Sequence, residues 1–418
     1  MEKSWTIHPV ISPMLIWIFG ALSALGVATF LLSLQLHPMR GWQVYLVNFL
    51  FWTGIAQGAV VFAAIYHVVG ARWGATVRRL GEGAVAYLPV SLGFFLPLYF
   101  GLKKFFSGVR EVNPDRGAWF DPRFIFIRGG LGLGLMTILS LFFVYYSLRP
   151  EIGIAQGRKL ELRIWLHRWM ADGWQGEQAE ILRCERGMDF LAAGVLLAYP
   201  IIYTFMAFDL IMALDPFWYS SLFGGYFFVS TLYLGLAGLA VAAALLRRNL
   251  GDLVITTSQL SDLGKLLLGF NLTYLAMVWG QYIVIWYGNL PEETRFIILR
   301  VWEKPWAFFS WSVFVLSVLV PFLFFLSRRA KEIAWVLLLT GISISTGLWI
   351  ERYVLVVPSL WSQAYAPFGW IEVGITFGFL GAAGLSYVFF LQNFPLIPYA
   401  RISLSPASQQ QKDAEQTA

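Results

Sequence analysis

Charge is scarce in this chain of 418 residues, and cysteine and histidine are scarcer still. Asp, Glu, Lys and Arg together make up 13% of it, well below the roughly 25% of a soluble globular domain, which excludes an ordinary soluble protein. The lone cysteine, Cys184, excludes a disulfide within the chain and any iron–sulfur cluster held by its cysteines alone. Of the four histidines only His67 lies in an apolar run; His8, His37 and His167 fall in connectors or near the terminus. A membrane haem held by two histidines is thereby excluded. The sequence offers no metal-ligand set and no catalytic constellation, so any redox metal is expected in partner chains. The net charge of +6 comes from Lys and Arg between apolar runs, and no nucleic-acid surface is needed to explain it.

What the chain has instead is hydrophobic length. Apolar residues make up 58% of it and aromatics 17%. Ten runs are long enough to cross a bilayer, near 12–36, 44–69, 82–101, 126–148, 188–213, 221–246, 264–288, 305–327, 332–350 and 368–392. The expected fold is therefore an all-α polytopic membrane protein, with a transmembrane domain over 1–392 and a polar, disordered tail over 393–418. The first run is too long for the apolar core of a cleavable signal and is read as a spanning helix. Most Lys and Arg fall on the side holding both termini, much of it in the 149–187 loop. The positive-inside rule then places both termini in the cytoplasm. Within that loop, Lys159–Trp174 is aromatic and basic enough to lie on the membrane as an amphipathic helix, or else is a solvated connector. Outer loops rich in Trp, Pro and paired charges suit a docking partner.

Polar side chains inside apolar runs mark function or interhelical bonding. The seventh run carries Asn271, Tyr274, Gln281 and Tyr282, candidates for lining a quinol pocket or for holding helices together. Proton-pathway candidates are His67, Glu82 and Tyr87 on the inner side. Asp189, Tyr203 and Thr204 sit along the fifth run, Asp209 and Asp215 toward its outer end, and Glu372 near the outer end of the tenth. Glu82, Asp189 and Glu372, with Glu351 at the end of the ninth run, are read as lying near interfaces, where structural roles compete. The inner and outer sets form two proton half-routes whose connection the sequence does not show.

Two segments carry a family resemblance: Phe208-Asp209-Leu210-Ile211-Met212-Ala213-Leu214-Asp215-Pro216-Phe217-Trp218-Tyr219-Ser220-Ser221-Leu222-Phe223-Gly224, and Gln281-Tyr282-Ile283-Val284-Ile285-Trp286-Tyr287-Gly288-Asn289-Leu290-Pro291-Glu292-Glu293-Thr294. Both resemble the NrfD/PsrC-like integral membrane subunits of alternative complex III, a quinol:electron-acceptor oxidoreductase of respiratory and photosynthetic chains. Of its two such subunits the chain looks more like ActF than its relative ActC. The resemblance implies two four-helix bundles, helices 2–5 and 6–9, in a bacterial inner membrane. It implies no redox cofactor in this chain, menaquinol or ubiquinol as substrate, and a role in proton conduction with candidate quinol binding. Implied partners are an ActC-like membrane subunit, an iron–sulfur and molybdopterin-like subunit on the outer face, multihaem cytochrome c subunits with haem c, and membrane lipids. Electrons would reach a cytochrome c or blue copper protein. The alternatives are an anchor for another molybdopterin oxidoreductase, a structural scaffold, and a stand-alone secondary transporter.

Overall fold

A computed structural model describes residues 12–71, 73–106, 119–157, 164–215, 217–251, 255–361, 363 and 365–396. Apolar periods without breakers become long helices, and prolines mark where these begin or bend. Helix α1 (Pro13–Leu36) starts with Pro at its first position, capped by the Ser12 side chain, and α2 (Pro38–Val68) likewise starts with Pro. Proline suits that position because its missing N–H would have no helical acceptor there. The third span is broken: α3 (Ala75–Gly83), a 3-10 turn (Ala84–Tyr87), α4 (Leu88–Phe95) and α5 (Leu98–Phe105), bent by 51° at Pro97. Next come α6 (Pro122–Gly157), the short α7 (Trp165–Ala171) and α8 (Glu177–Leu210).

The second half opens with α9 (Phe223–Leu250) and α10 (Thr257–Gly288). Asn289, in the left-handed region at φ 45°, ends α10. Pro291 then starts the amphipathic α11 (Pro291–Val301), with Glu292 and Glu293 at its positive end and Arg300 at its negative end. The eighth span is α12 (Trp306–Phe314), a π-helical turn (Val315–Leu319) and α13 (Val320–Leu326). After α14 (Arg328–Glu332) come α15 (Ala334–Leu360) and α16 (Trp370–Asn393). Among the described residues nine helices are long and apolar enough to cross a membrane, and the bent third span makes ten. The chain is a multi-pass, all-α membrane protein.

The spans form two four-helix bundles. In the first, α2, the bent third span, α6 and α8 close a ring; in the second, α9, α10, the α12–α13 span and α15 do the same. The bundles meet where α2 packs on α9 and α15, and α8 on α9. Close approach at this seam depends on glycine: a Cβ on Gly58 of α2 would fall 2.5 Å from the Thr231 carbonyl oxygen of α9 and 3.1 Å from Gly235 Cα. Outside the bundles α1 lies along α16, where a Cβ on Gly378 would come within 2.5 Å of Gly26 Cα.

Three boundaries differ from the sequence expectation. The ninth span ends not near residue 350 but at Leu360. Glu351 therefore lies nine residues, about 13 Å of helix, inside its end. The third span begins at Ala75, so Glu82 sits two turns inside it. The 149–187 connector is largely helix, because α6 runs on to Gly157 and α8 starts at Glu177. Charged residues mid-helix lower the local hydropathy and make each apolar run look shorter than its helix. Of the Lys159–Trp174 stretch, α7 buries His167, Met170 and Ala171 and exposes Trp165 and Trp169. Its segment 158–163 and most of the polar tail, 397–418, lie outside the described residues.

Candidate ligand-binding site

A cavity of about 220 Å³ opens in the half of the second bundle remote from the start of α1 and the end of α16, roofed by α11. Its walls are largely aromatic and aliphatic: Trp218, Phe223, Tyr226, Tyr274, Val278 and Phe296 among them. Trp218 and Phe296 stack with ring centroids 3.7 Å apart, nearly parallel at 6°. Glu351 is the single carboxylate in the lining and Arg300 the single cation.

Glu351 is 4% exposed, and an isolated carboxylate cannot sit in such a place without partners. Three donors supply them. The Tyr274 hydroxyl donates to Oε1 at 2.7 Å, the Tyr226 hydroxyl donates to the same oxygen, and the Arg352 guanidinium pairs with Oε2. Arg352, fully buried, is itself held by Ser230 Oγ at 2.8 Å and lies over the Phe227 ring at 4.4 Å. An acid, a base and two phenols thus form one buried unit at the cavity floor, joined to α9 at the seam between bundles.

Arg300 reaches the cavity for a different reason. Pro358 interrupts α15 and has no N–H to give the Val354 carbonyl one turn earlier. Arg300 Nε donates to that oxygen at 3.0 Å, and its Nη2 donates to Ser359 Oγ at 2.7 Å. Burial pushes its pKa down to about 9, against the attraction of Asp215, and the side chain stays charged at neutral pH. Arg300 ties the roof helix to the floor helix.

Two donors in the lining remain open. Trp218 Nε1 and Gln281 Nε2 are buried and have no hydrogen-bond partner among the described residues. Gln281 Oε1 accepts from Ser220 Oγ at 3.2 Å, which fixes the amide near the outer mouth. Along α10, Gln281 lies seven residues, about 10 Å, from Tyr274. The cavity therefore has a carboxylate with two phenols at one end, unused N–H donors at the other, and flat apolar walls between. Of the lining residues, Phe314 on α12 is exposed and Val278 on α10 half-buried, so the cavity approaches the apolar exterior of the bundle there.

Of the expected pocket residues, Tyr274, Gln281 and Tyr282 line this cavity and Asn271 does not. Asn271 Nδ2 instead donates to the Ser317 carbonyl at 2.9 Å, beside the Tyr233 hydroxyl. Pro321 cannot supply the N–H that this carbonyl would otherwise receive from four residues on. Asn271 repairs a helix break.

The proton-pathway candidates fall into separate groups. His67 Nε2 meets Asp189 Oδ1 at 2.8 Å, with the Asp189 side chain largely exposed. Glu82, fully buried, forms an ion pair with Arg78 at 2.8 Å and accepts from Arg79 at 2.7 Å and Ser147 at 2.8 Å, and Arg79 also pairs with Glu151. Tyr87 and Tyr203 are buried, their hydroxyls without a partner among the described residues, and Thr204 packs against Gly224. Asp209 forms a bidentate pair with Arg128, whose guanidinium lies 4.0 Å from the Trp119 ring centroid. Asp215 turns the outer loop by accepting from the Phe217 N–H at 3.2 Å. Glu372 caps α16, accepting from Gly369 N–H at 2.7 Å, and holds Arg40 through two bonds of 2.8 and 2.6 Å. No direct bond links the His67, Glu82 and Asp209 groups among the described residues.

Sequence reasoning missed Arg352, Tyr226 and Arg300 as site residues and read Glu351 as lying near an interface, whereas it is buried inside α15. The available signal was the adjacent acid and base of Glu351-Arg352 beside an apolar run that continues Tyr-Val-Leu-Val-Val.

Compared with known protein families, the chain matches none of their profiles. Compared with curated proteins, it has no significant sequence match.

Proposed function

We propose that this chain is the membrane subunit of a quinol:electron-acceptor oxidoreductase of the alternative complex III type, and that the cavity of the second bundle receives the quinol head. The observation that carries this reading is the pairing, across one flat-walled apolar cavity, of a buried carboxylate with unsatisfied N–H donors. A quinol presents two hydroxyls on opposite edges of a planar ring and an isoprenoid tail. A cavity of about 150 Å³ already accommodates benzene, so about 220 Å³ suits a substituted ring. One hydroxyl would meet Glu351 or the two phenols; the other oxygen would accept from Gln281 Nε2 or Trp218 Nε1. The tail would leave past Val278 and Phe314.

Oxidation of the quinol to quinone releases two electrons and two protons. The electrons go to a redox centre of a partner subunit on the outer face. This chain's own part is to hold the ring and to take one of the two protons on the Glu351 carboxylate, which Arg352 and the two tyrosines orient. Water is excluded by the α11 roof, which strengthens these interactions. The inner-membrane location and cytoplasmic termini belong to the same proposal, supported by the distribution of Lys and Arg. A secondary transporter is less well supported. The two broken spans, the third and the eighth, occupy non-corresponding places in their bundles, whereas inverted-repeat transporters break matched helices.

The test is Glu351→Gln in the intact membrane complex. The amide keeps the shape and loses the charge and the proton acceptor. The expected outcome is a complex that still assembles, with a lowered melting temperature because Arg352 loses its counter-charge, and with quinol oxidation per assembled complex reduced by about 10²-fold or more, the ordinary contribution of a general base. An assembled variant with unchanged turnover would remove Glu351 from the reaction.

A further inference from the structure

A second cavity, of about 190 Å³, lies at the opposite end of the second bundle, on the side carrying both chain termini. It is formed where α9 ends and α15 begins, between Ala244, Arg247 and Arg248 on one wall and Ala334, Trp335 and Leu338 on the other. Arg247 is oriented by its Nη2 donating to Thr257 Oγ1 at 3.0 Å. The Arg248 guanidinium stands 5.2 Å from the Trp335 ring centroid. Among the described residues no acidic side chain lines the cavity. The first N–H groups of α15, at Ala334 and Trp335, have no helical acceptor and add their positive end to the same place.

Directly below this polar mouth the helix surfaces turn apolar and exposed. Trp335, Leu339 and Ile342 form a track down α15, and Leu245 lies opposite on α9. Two guanidiniums at a membrane boundary attract anions, and an exposed apolar track beneath them suits acyl chains. We infer that this cavity binds the phosphodiester headgroup of an acidic phospholipid, with Arg247 and Arg248 on the phosphate, Trp335 at the glycerol level, and the chains along Leu339, Ile342 and Leu245. The apolar track argues for a lipid over a free phosphate ion, which would use only the mouth.

The experiment is native mass spectrometry of the whole protein, delipidated in mild detergent and titrated in turn with phosphatidylglycerol, phosphatidylcholine and inorganic phosphate. Phosphatidylglycerol is expected to bind at least tenfold more tightly than phosphatidylcholine. Arg248→Gln, an exposed position whose loss leaves the Arg247–Thr257 bond intact, is expected to weaken phosphatidylglycerol about fivefold, and Arg247→Gln/Arg248→Gln about thirtyfold. Phosphatidylcholine binding should not move. Equal affinities for the two lipids would overturn the inference, as would an Arg248→Gln variant that melts like wild type and binds phosphatidylglycerol unchanged. Displacement of the lipid by millimolar inorganic phosphate would assign the site to a free ion and overturn it as well.

Discussion

Of the carbonyl oxygens that lose their helical donor to proline, those of Val354 and Ser317 each recover one from a side chain of another element. In a membrane interior such an oxygen has no water to turn to. Arg300→Ala should therefore lower thermal stability, and Pro358→Ala, which restores a backbone N–H, should recover part of that loss. A double-mutant cycle read from thermal melts should show a coupling of about 1 kcal/mol; strictly additive losses would mean that Arg300 acts elsewhere. Asp209, a proton-pathway candidate in the sequence, has both of its oxygens paired with Arg128. Asp209→Asn removes the counter-charge of a half-buried guanidinium and is expected to cost about 2 kcal/mol, with Arg128→Gln/Asp209→Asn recovering much of it. A stable Asp209→Asn variant with a lowered proton-to-electron ratio would favour the relay instead. Residue types at the site were readable in the sequence: Tyr274, Gln281 and Tyr282 lie on one run and share one cavity. The partners of Glu351 were not readable. Tyr226 and Tyr274 lie 125 and 77 positions away, and no local pattern encodes such contacts.

At the scale of elements, the ten apolar runs correspond to the ten spans because helical hydrophobicity over some 20 residues is a local property. Their ends were less legible. Glu351, Arg352 and Glu82 depress local hydropathy although each is neutralised by a partner within the bundle. The amphipathic α11 was invisible to hydropathy, yet it closes the cavity. The α1–α16 pair depends on bare backbone at Gly26 and Gly378. Gly378→Leu is expected to push α1 away while leaving both bundles folded. A cysteine introduced as Ser33→Cys, in a Cys184→Ala background, reports this directly, since Ser33 is fully buried against Gly41. It should resist a thiol reagent with Gly378 in place and react once leucine replaces it. Equal protection in both backgrounds would contradict the close packing of α1.

The whole molecule is two bundles with similar plans and different interiors. The buried charges of the first are taken up by their neighbours: Asp209 by Arg128, Glu82 by Arg78 and Arg79, Glu151 by Arg79. The second keeps open space above its buried acid, with two N–H donors in the lining of that space that have no partner among the described residues. That asymmetry moves the expected chemistry from Asp209, where the sequence draws attention, to Glu351. The measurement that bears most directly on it is photolabelling of the membrane-embedded complex with an azido-quinone, followed by peptide mapping of this chain. The account predicts label on α10 around Gln281-Tyr282 and on α11 between Phe296 and Arg300, competed away by excess quinol and lost when Gln281→Leu narrows the mouth. Label confined to the first bundle, around Asp209 and Arg128, or absent from this chain while a partner subunit is labelled, would contradict it.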